Sequence, residues 1–217
     1  MSPSKDPPRN IYIIGAQSTG KTTLAEALSA SLSTSASTPP TIIREIARSI
    51  ILEKGYNRAE MTTSPDRALQ LQQDILEAQY RAERAVDANL SSSGYICDRS
   101  GLDPIVYARL YVSENAADEM FASVAWRELE MKMRCGVVIL CEAGGSWLVD
   151  DGLRLMPEGL EDWLRVDGMF RMLLGDRRIA YTVVPKEVGC VGERVGLVMD
   201  AVQQCGKVTD GVGLPGF

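Results

Sequence analysis

Histidine is missing from all 217 residues. That excludes Ser-His-Asp and Cys-His nucleophile pairs, histidine metal sites and histidine general bases, so proton transfer falls to carboxylates, lysine, tyrosine or water. Cysteine is scarce: Cys97, Cys135, Cys141, Cys190 and Cys205 are odd in number and show no C-x-x-C spacing, which argues against a disulfide framework or a zinc knuckle. Cys97 and Cys141 lie in apolar runs and read as small buried hydrophobes, and the set as a whole implies a reducing compartment. Positive charge is also short. The 23 Lys+Arg against 29 Asp+Glu leave a net charge of −6 and no broad basic field for nucleic acid. No run approaches the roughly 20 apolar residues of a membrane span, and the opening MSPSKDPPRN lacks the apolar core of a signal peptide. The expectation is a cytoplasmic protein with neither nucleic-acid nor membrane partners.

What remains is ordinary globular material, 45% apolar and 24% charged, of a length that suits one domain with a lid. Residues 1–8 are polar and proline-rich and read as a flexible tail, the domain as 9–205, and 206–217 as a second, glycine-rich tail. Short apolar runs at 10–14, 41–43, 95–97, 136–141 and 179–184 read as strands. Helical patterns fill 22–32, 45–54, 65 to about 90, a stretch opened by Asp103 and Pro104, 113–134, 158–174 and 192–204. Residues 31–40 are low-complexity loop, and 142–157 irregular. Leu69, Gln73, Leu76 and Tyr80 form a stripe at helical spacing that reads as core, with Gln72 and Gln79 as alternatives for reaching a cleft. Strands apolar on both faces, alternating with helices, give an α/β three-layer sandwich around a parallel sheet.

Gly15-Ala16-Gln17-Ser18-Thr19-Gly20-Lys21-Thr22, followed by Thr23, matches G-x-x-x-x-G-K-[ST], a pattern that roughly one chain in a hundred of this length would contain by chance. An apolar strand leads in and a helix leads out, as a phosphate-binding loop requires. Gly15 and Gly20 let successive N–H groups turn inward towards phosphate oxygens, and the helix adds its positive dipole end. Lys21 is placed to reach the β- and γ-phosphates of ATP, and the Thr22 hydroxyl to hold Mg²⁺.

In an open α/β sheet, ligands bind beyond the carboxyl ends of the strands. Asp98 ends the 95–97 strand and is the candidate acceptor base or metal ligand, with Arg99 beside it as a substrate or phosphate contact. Glu45 follows the 41–43 strand in the same way and shares a helical face with Arg48, which makes both candidate substrate ligands. Arg154, within Asp150-Asp151-Gly152-Leu153-Arg154, sits in the expected lid at 142–157, where it and Arg177 or Arg178 could neutralise a transferring phosphoryl group.

Together these residues resemble the P-loop domain of the NadR type, a group classed with AAA-like ATPase domains but built like small-molecule kinases. The matching parts are the GAQSTGKTTL loop, Arg44-Glu45-x-x-Arg48, the glutamine-bearing helix near Leu69–Tyr80, Cys97-Asp98-Arg99-Ser100, and Trp147-x-x-Asp150-Asp151-Gly152-x-Arg154. The resemblance implies a P-loop NTPase fold with a five-stranded parallel sheet of order 2-3-1-4-5, and the use of ATP and Mg²⁺. Asp98-Arg99-Ser100 departs from the Asp-Thr-Asp frequent in that group and is nearer the Asp-Arg of nucleoside and nucleotide kinases. Two functions fit. One is a kinase for a hydroxyl of a nucleoside-like small molecule, a nicotinamide riboside-like acceptor among them, with Lys21, Asp98 and Arg154 catalytic. The other is an NTP-binding switch or slow NTPase acting through a protein partner, for which Gln17 is the water-positioning candidate inside the loop.

Overall fold

Asn10 leads into Ile11–Ile14 (β1), four consecutive buried residues that only the centre of a sheet can cover on both faces. The computed structural model describes residues 10–35, 40–57, 63–89, 94–145 and 159–209. Around β1 stand Thr41–Ile43 (β2), Tyr95–Asp98 (β3), Val137–Cys141 (β4) and Thr182–Val184 (β5). All pairings are parallel and the order is β2-β3-β1-β4-β5. This is the five-stranded P-loop arrangement expected above.

The period-2 alternation of the strands feeds two cores. Tyr12, Ile14, Tyr95, Cys97, Val138 and Leu140 face one side. They pack against Pro65–Asp87 (α3), Leu102–Tyr111 (α4), Glu114–Ala122 (α5), Val124–Cys135 (α6) and Leu160–Asp176 (α7). Ile11, Ile13, Ile96, Val137, Ile139 and Cys141 face the other side, against Lys21–Ser35 (α1) and Val191–Thr209 (α8). Leu24 and Leu28 carry the α1 contact, with Leu32 beside them. Ile46–Lys54 (α2) packs separately on α3 through Ile50, Ile51, Leu71 and Ile75.

Local signals set most boundaries. The hydroxyl of Ser64 accepts from the N–H of Arg67 ahead of Pro65, and Ser113 and Ser123 cap α5 and α6 in the same way. Gly55 stops α2 in the left-handed conformation. Several expectations are corrected. Helix α1 continues through Ser35 into the stretch expected to be loop, and α8 continues through Thr209, past the expected end of the domain. The last strand starts at Thr182 rather than 179: Arg178 turns the chain at φ 52°, and Ile179 is buried in that turn. The buried face of α3 is Ala68, Leu71, Gln72, Ile75, Leu76, Gln79 and Glu83, while Gln73 is exposed. The face rotates because α3 is packed from two directions, by the sheet-side core and by α2. Both expected tails, apart from the end of α8, and the expected lid beyond Gly145 lie outside the described residues.

Phe170 is wholly buried where α7 meets the sheet. Phe170→Ala is expected to cost about 3–5 kcal/mol of unfolding free energy, because the cavity adds to the lost transfer energy. Urea titration followed by circular dichroism measures it.

Candidate active site

The loop between β1 and α1 curls because its backbone enters regions that most side chains avoid. Gly15 has φ 131°, Ser18 φ 56° and Gly20 φ 77°. A Cβ on Gly15 would stand 2.5 Å from the Cys141 carbonyl oxygen, and one on Gly20 would stand 2.5 Å from Nη1 of Arg194. Gly15 is therefore fixed by close approach to backbone as well as by φ, and Gly20 chiefly by its φ, since the Arg194 side chain could shift. The Lys21 ammonium folds back to donate to the Ala16 carbonyl and to Thr19 Oγ1, and the Thr19 hydroxyl itself donates to Ala16 O at 3.0 Å. Lys21 is 5% exposed. Burial, then the neighbouring Arg99 charge, lowers its pKa to about 8.

The register of β1 on β3 pairs Ile13 with Asp98, and the Arg99 N–H donates to Ile13 O at 2.9 Å. This puts Asp98 beside the start of α1, where its Oδ2 accepts from the Thr22 hydroxyl at 2.6 Å. Thr22 and Asp98 present hard oxygen donors of the kind Mg²⁺ takes alongside phosphate and water oxygens. Among the described residues no cluster of three or more His, Cys, Asp or Glu could hold a metal by itself.

Arg99 follows at φ 87°, a strained value for a side chain of its size. Its Nε donates to Glu45 Oε1 at 2.8 Å and its Nη1 to Asp103 Oδ1 at 3.4 Å. Asp103 also accepts from the N–H and hydroxyl of Ser100, at 2.7 and 3.0 Å, while Ser100 Oγ accepts from the N–H of Leu102. Burial raises the Asp103 pKa against the pull of Arg99 and Lys21. Arg99, Ser100, Asp103 and Tyr107, together with Ala47, Gln72, Ile75 and Gln79, line a cavity of about 40 Å³.

The structure thus brings together the loop, Lys21, Thr22, Asp98, Arg99 and Glu45. Thr23 is exposed on α1, and Arg48 is exposed on α2 and does not line the cavity. Gln72 and Gln79 both line it. Arg177 and Arg178 do not join the site. They follow α7 and precede β5, at the sheet edge opposite the strand carboxyl ends, where Arg177 pairs with Glu130 at 2.6 Å. Arg154 lies outside the described residues.

Three residues at the loop went unnoticed in the sequence. Tyr107 donates to Gln17 Oε1 at 2.7 Å, the Trp163 indole donates to Gln17 O at 2.9 Å, and Arg194 donates to Thr19 O at 2.9 Å. Each comes from a distant helix and belongs to no local pattern. Asp103 was legible as more than a helix start, because Ser100-x-x-Asp103 has capping-box spacing.

A family model described as an AAA domain matches residues 10–194. No curated protein matches the sequence significantly. Among solved structures, a NadR protein in complex with NR superposes with a TM-score of 0.64 at 17% identity, covering 97% of this chain and 54% of that one. A NadR protein in complex with NAD and AMP-PNP gives 0.62 at 15%, over 97% and 52%. The shikimate kinase of Acinetobacter baumannii in complex with shikimate gives 0.51 at 12%, over 94% and 96%. The chain spans about half the length of the NadR structures, and at these identities the likeness establishes the fold.

The Lys21 pKa has a measurable consequence. A lysine whose pKa falls on folding binds fewer protons in the native than in the unfolded state between about pH 8 and its ordinary value of 10.5. Its contribution therefore makes stability rise with pH across that window, and the cost of burying the charge is fully present below it. Phosphate beside Lys21 favours the ammonium, so AMP-PNP binding at pH 9 should take up a proton and at pH 6.5 should not. Calorimetry in buffers of different ionisation enthalpy checks this, with Lys21→Met as the control that removes the uptake.

Proposed function

We propose, since the chain belongs to the AAA-domain family, that it is an ATP-dependent kinase. In this reading it transfers the γ-phosphate to a hydroxyl of a nucleoside-like small molecule held in the cavity beside the loop. The observation that carries the proposal is the 2.6 Å contact of Thr22 with Asp98. It holds a carboxylate against the first turn after the phosphate loop, and the next two residues, Arg99 and Ser100, line the cavity together with Gln72 and Gln79. The ligands named for the similar structures, AMP-PNP, NR and shikimate, support a nucleotide on one side and a small hydroxylated molecule on the other.

In this reading the loop N–H groups and the α1 dipole bind the phosphates. Lys21 leaves the Ala16 carbonyl to meet the β- and γ-oxygens, a contact that restores the charge burial had weakened. Thr22 would hold Mg²⁺, with Asp98 reaching the ion through water, and the ion would screen the phosphate charge. Asp98 orients the acceptor hydroxyl and takes its proton. Glu45 and Asp103 hold Arg99 in the cavity wall, and Arg99 orients the acceptor. A cavity of about 40 Å³ is far below the ~300 Å³ of small-molecule sites, so an acceptor must widen it. A nicotinamide riboside-like molecule is one acceptor of the proposed class.

The alternative, a switch that positions water through Gln17, is disfavoured by the site. Gln17 is 1% exposed and its side-chain oxygen is engaged by Tyr107.

A thermal-shift screen of nucleosides and vitamin ribosides with AMP-PNP and Mg²⁺ tests the proposal, because a true acceptor raises stability by mass action. No stabilisation by any member of either set counts against it. Lys21→Ala should abolish turnover and leave the fold intact by circular dichroism. Asp98→Asn should keep nucleotide affinity within about tenfold, roughly 1.4 kcal/mol, while transfer falls by about 10² or more. Near-normal transfer by Asp98→Asn would remove its role as the base.

A further inference from the structure

Glu83 is a carboxylate with no accessible surface, two turns of α3 beyond Leu76, and the proposed chemistry makes no use of it. Its Oε2 accepts from the Tyr95 hydroxyl at 2.7 Å and lies 3.1 Å from that of Tyr12, and the two hydroxyls are 3.1 Å apart. Its Oε1 accepts from Gln79 Nε2 at 2.8 Å and faces the Cys97 thiol at 3.8 Å. Burial holds both phenols and the thiol well above their ordinary pKa values, so all three keep their protons and act as donors towards Glu83.

Gln79 is where this network reaches the cavity. Its Nε2 serves Glu83 and also lies 3.4 Å from Cys97 Sγ, so both amide hydrogens are committed inward. Burial raises the Glu83 pKa, against the pull of its hydrogen bonds from Gln79, Tyr95 and Tyr12 and of the Lys132 charge; the Tyr12, Tyr95, Gln79 and Cys97 donors all suit the ionised form. A carboxylate cannot donate, so opposite that form the amide cannot reverse without setting two oxygens face to face. The carbonyl oxygen Oε1 has no hydrogen-bond partner among the described residues and is the group left to meet whatever fills the cavity. The Arg99 charge in the cavity lining is balanced by Glu45 and Asp103, so it gives an anionic ligand little advantage.

We infer that Glu83 is a positioning residue that locks the Gln79 amide with its oxygen towards the cavity, so that the site selects an acceptor molecule carrying an N–H donor on the edge that meets Gln79. This rests on the reading of the cavity as the acceptor site. Discrimination follows because a ligand with only acceptors there would face Oε1 unpaired, and a buried unsatisfied group costs more than a hydrogen bond gains.

Glu83→Gln gives the test its sharpest form. Tyr95 still needs an acceptor, so the introduced amide keeps its oxygen towards the tyrosines and turns its NH₂ towards Gln79. Gln79 must then reverse and present NH₂ to the cavity. Two ribosides that differ at one edge are suitable probes: nicotinamide riboside, whose carboxamide donates, and nicotinic acid riboside, whose carboxylate only accepts. With AMP-PNP bound, calorimetry on the wild-type protein should favour the carboxamide by about tenfold or more. Glu83→Gln should erase or invert that preference, and Gln79→Leu should weaken carboxamide binding by about tenfold. A wild-type preference for the carboxylate, or equal loss of both probes in Glu83→Gln, overturns the inference.

A second measurement needs no acceptor. In ¹⁵N-labelled wild-type protein the Gln79 side-chain NH₂, identified by its loss in Gln79→Leu, should exchange slowly with water because both protons point into the core. Fast exchange overturns the inference whether or not Glu83→Gln folds. Slow exchange with neither riboside bound leaves the orientation standing and counts against the acceptor reading alone.

Discussion

The parallel pairing of β1 with β3 is the constraint on which the rest of the site depends. It sets Ile13 opposite Asp98, so the chain leaves β1 into the phosphate loop beside the point where it leaves β3 into Asp98-Arg99-Ser100. Neither strand codes for a site alone. Once they are adjacent, the first turn of α1 and the end of β3 converge, and the Thr22–Asp98 contact follows. Arg99 then turns back with φ 87°, its N–H continuing the ladder onto Ile13. Strain of this kind costs about 1–3 kcal/mol and persists only where the surroundings over-determine it. Here the surroundings are Glu45, Asp103 and the β1 backbone.

The electrostatics of the site follow from the same crowding. Lys21, Arg99 and Arg194 are buried at or near the loop, with Asp98 and Asp103 buried among them. Each charge is held by a neighbour: Arg99 by two carboxylates, Arg194 by the Thr19 carbonyl, Lys21 by the Ala16 carbonyl. The nearest partners of Lys21 are dipoles rather than an anion, and burial, with the Arg99 charge beside it, lowers its pKa. An anion arriving in the loop supplies the compensation that the folded protein withholds. The stability given up at Lys21 and the affinity for phosphate are thus two sides of one arrangement.

Much of this was legible in the sequence. The strands at 10–14 and 136–141, apolar on both faces, could only be central in a parallel sheet, and G-x-x-x-x-G-K-T between a strand and a helix specified the loop. Asp98 and Glu45 were found by asking which residues follow strands. What stayed hidden depended on long-range packing. Of the expected α3 stripe, Leu76 lies in the core and Leu69 and Tyr80 pack against it, but a helix held by two neighbours buries a wider and rotated face, which turned Gln73 outwards and Glu83 inwards. Arg177 could be excluded only once the ends of β5 were known. Tyr107, Trp163 and Arg194 reach the loop from helices 90 or more residues away, and no spacing rule connects them to it.

In the proposed reaction a phosphoryl group leaves ATP for a hydroxyl of a small molecule rather than for water. Phosphorus NMR of the protein with ATP, Mg²⁺ and a mixture of nucleosides and vitamin ribosides follows both fates at once. The account predicts a new phosphomonoester resonance that grows with ADP and is absent when the ribosides are omitted. ADP and inorganic phosphate alone, at a rate indifferent to the ribosides, would contradict it.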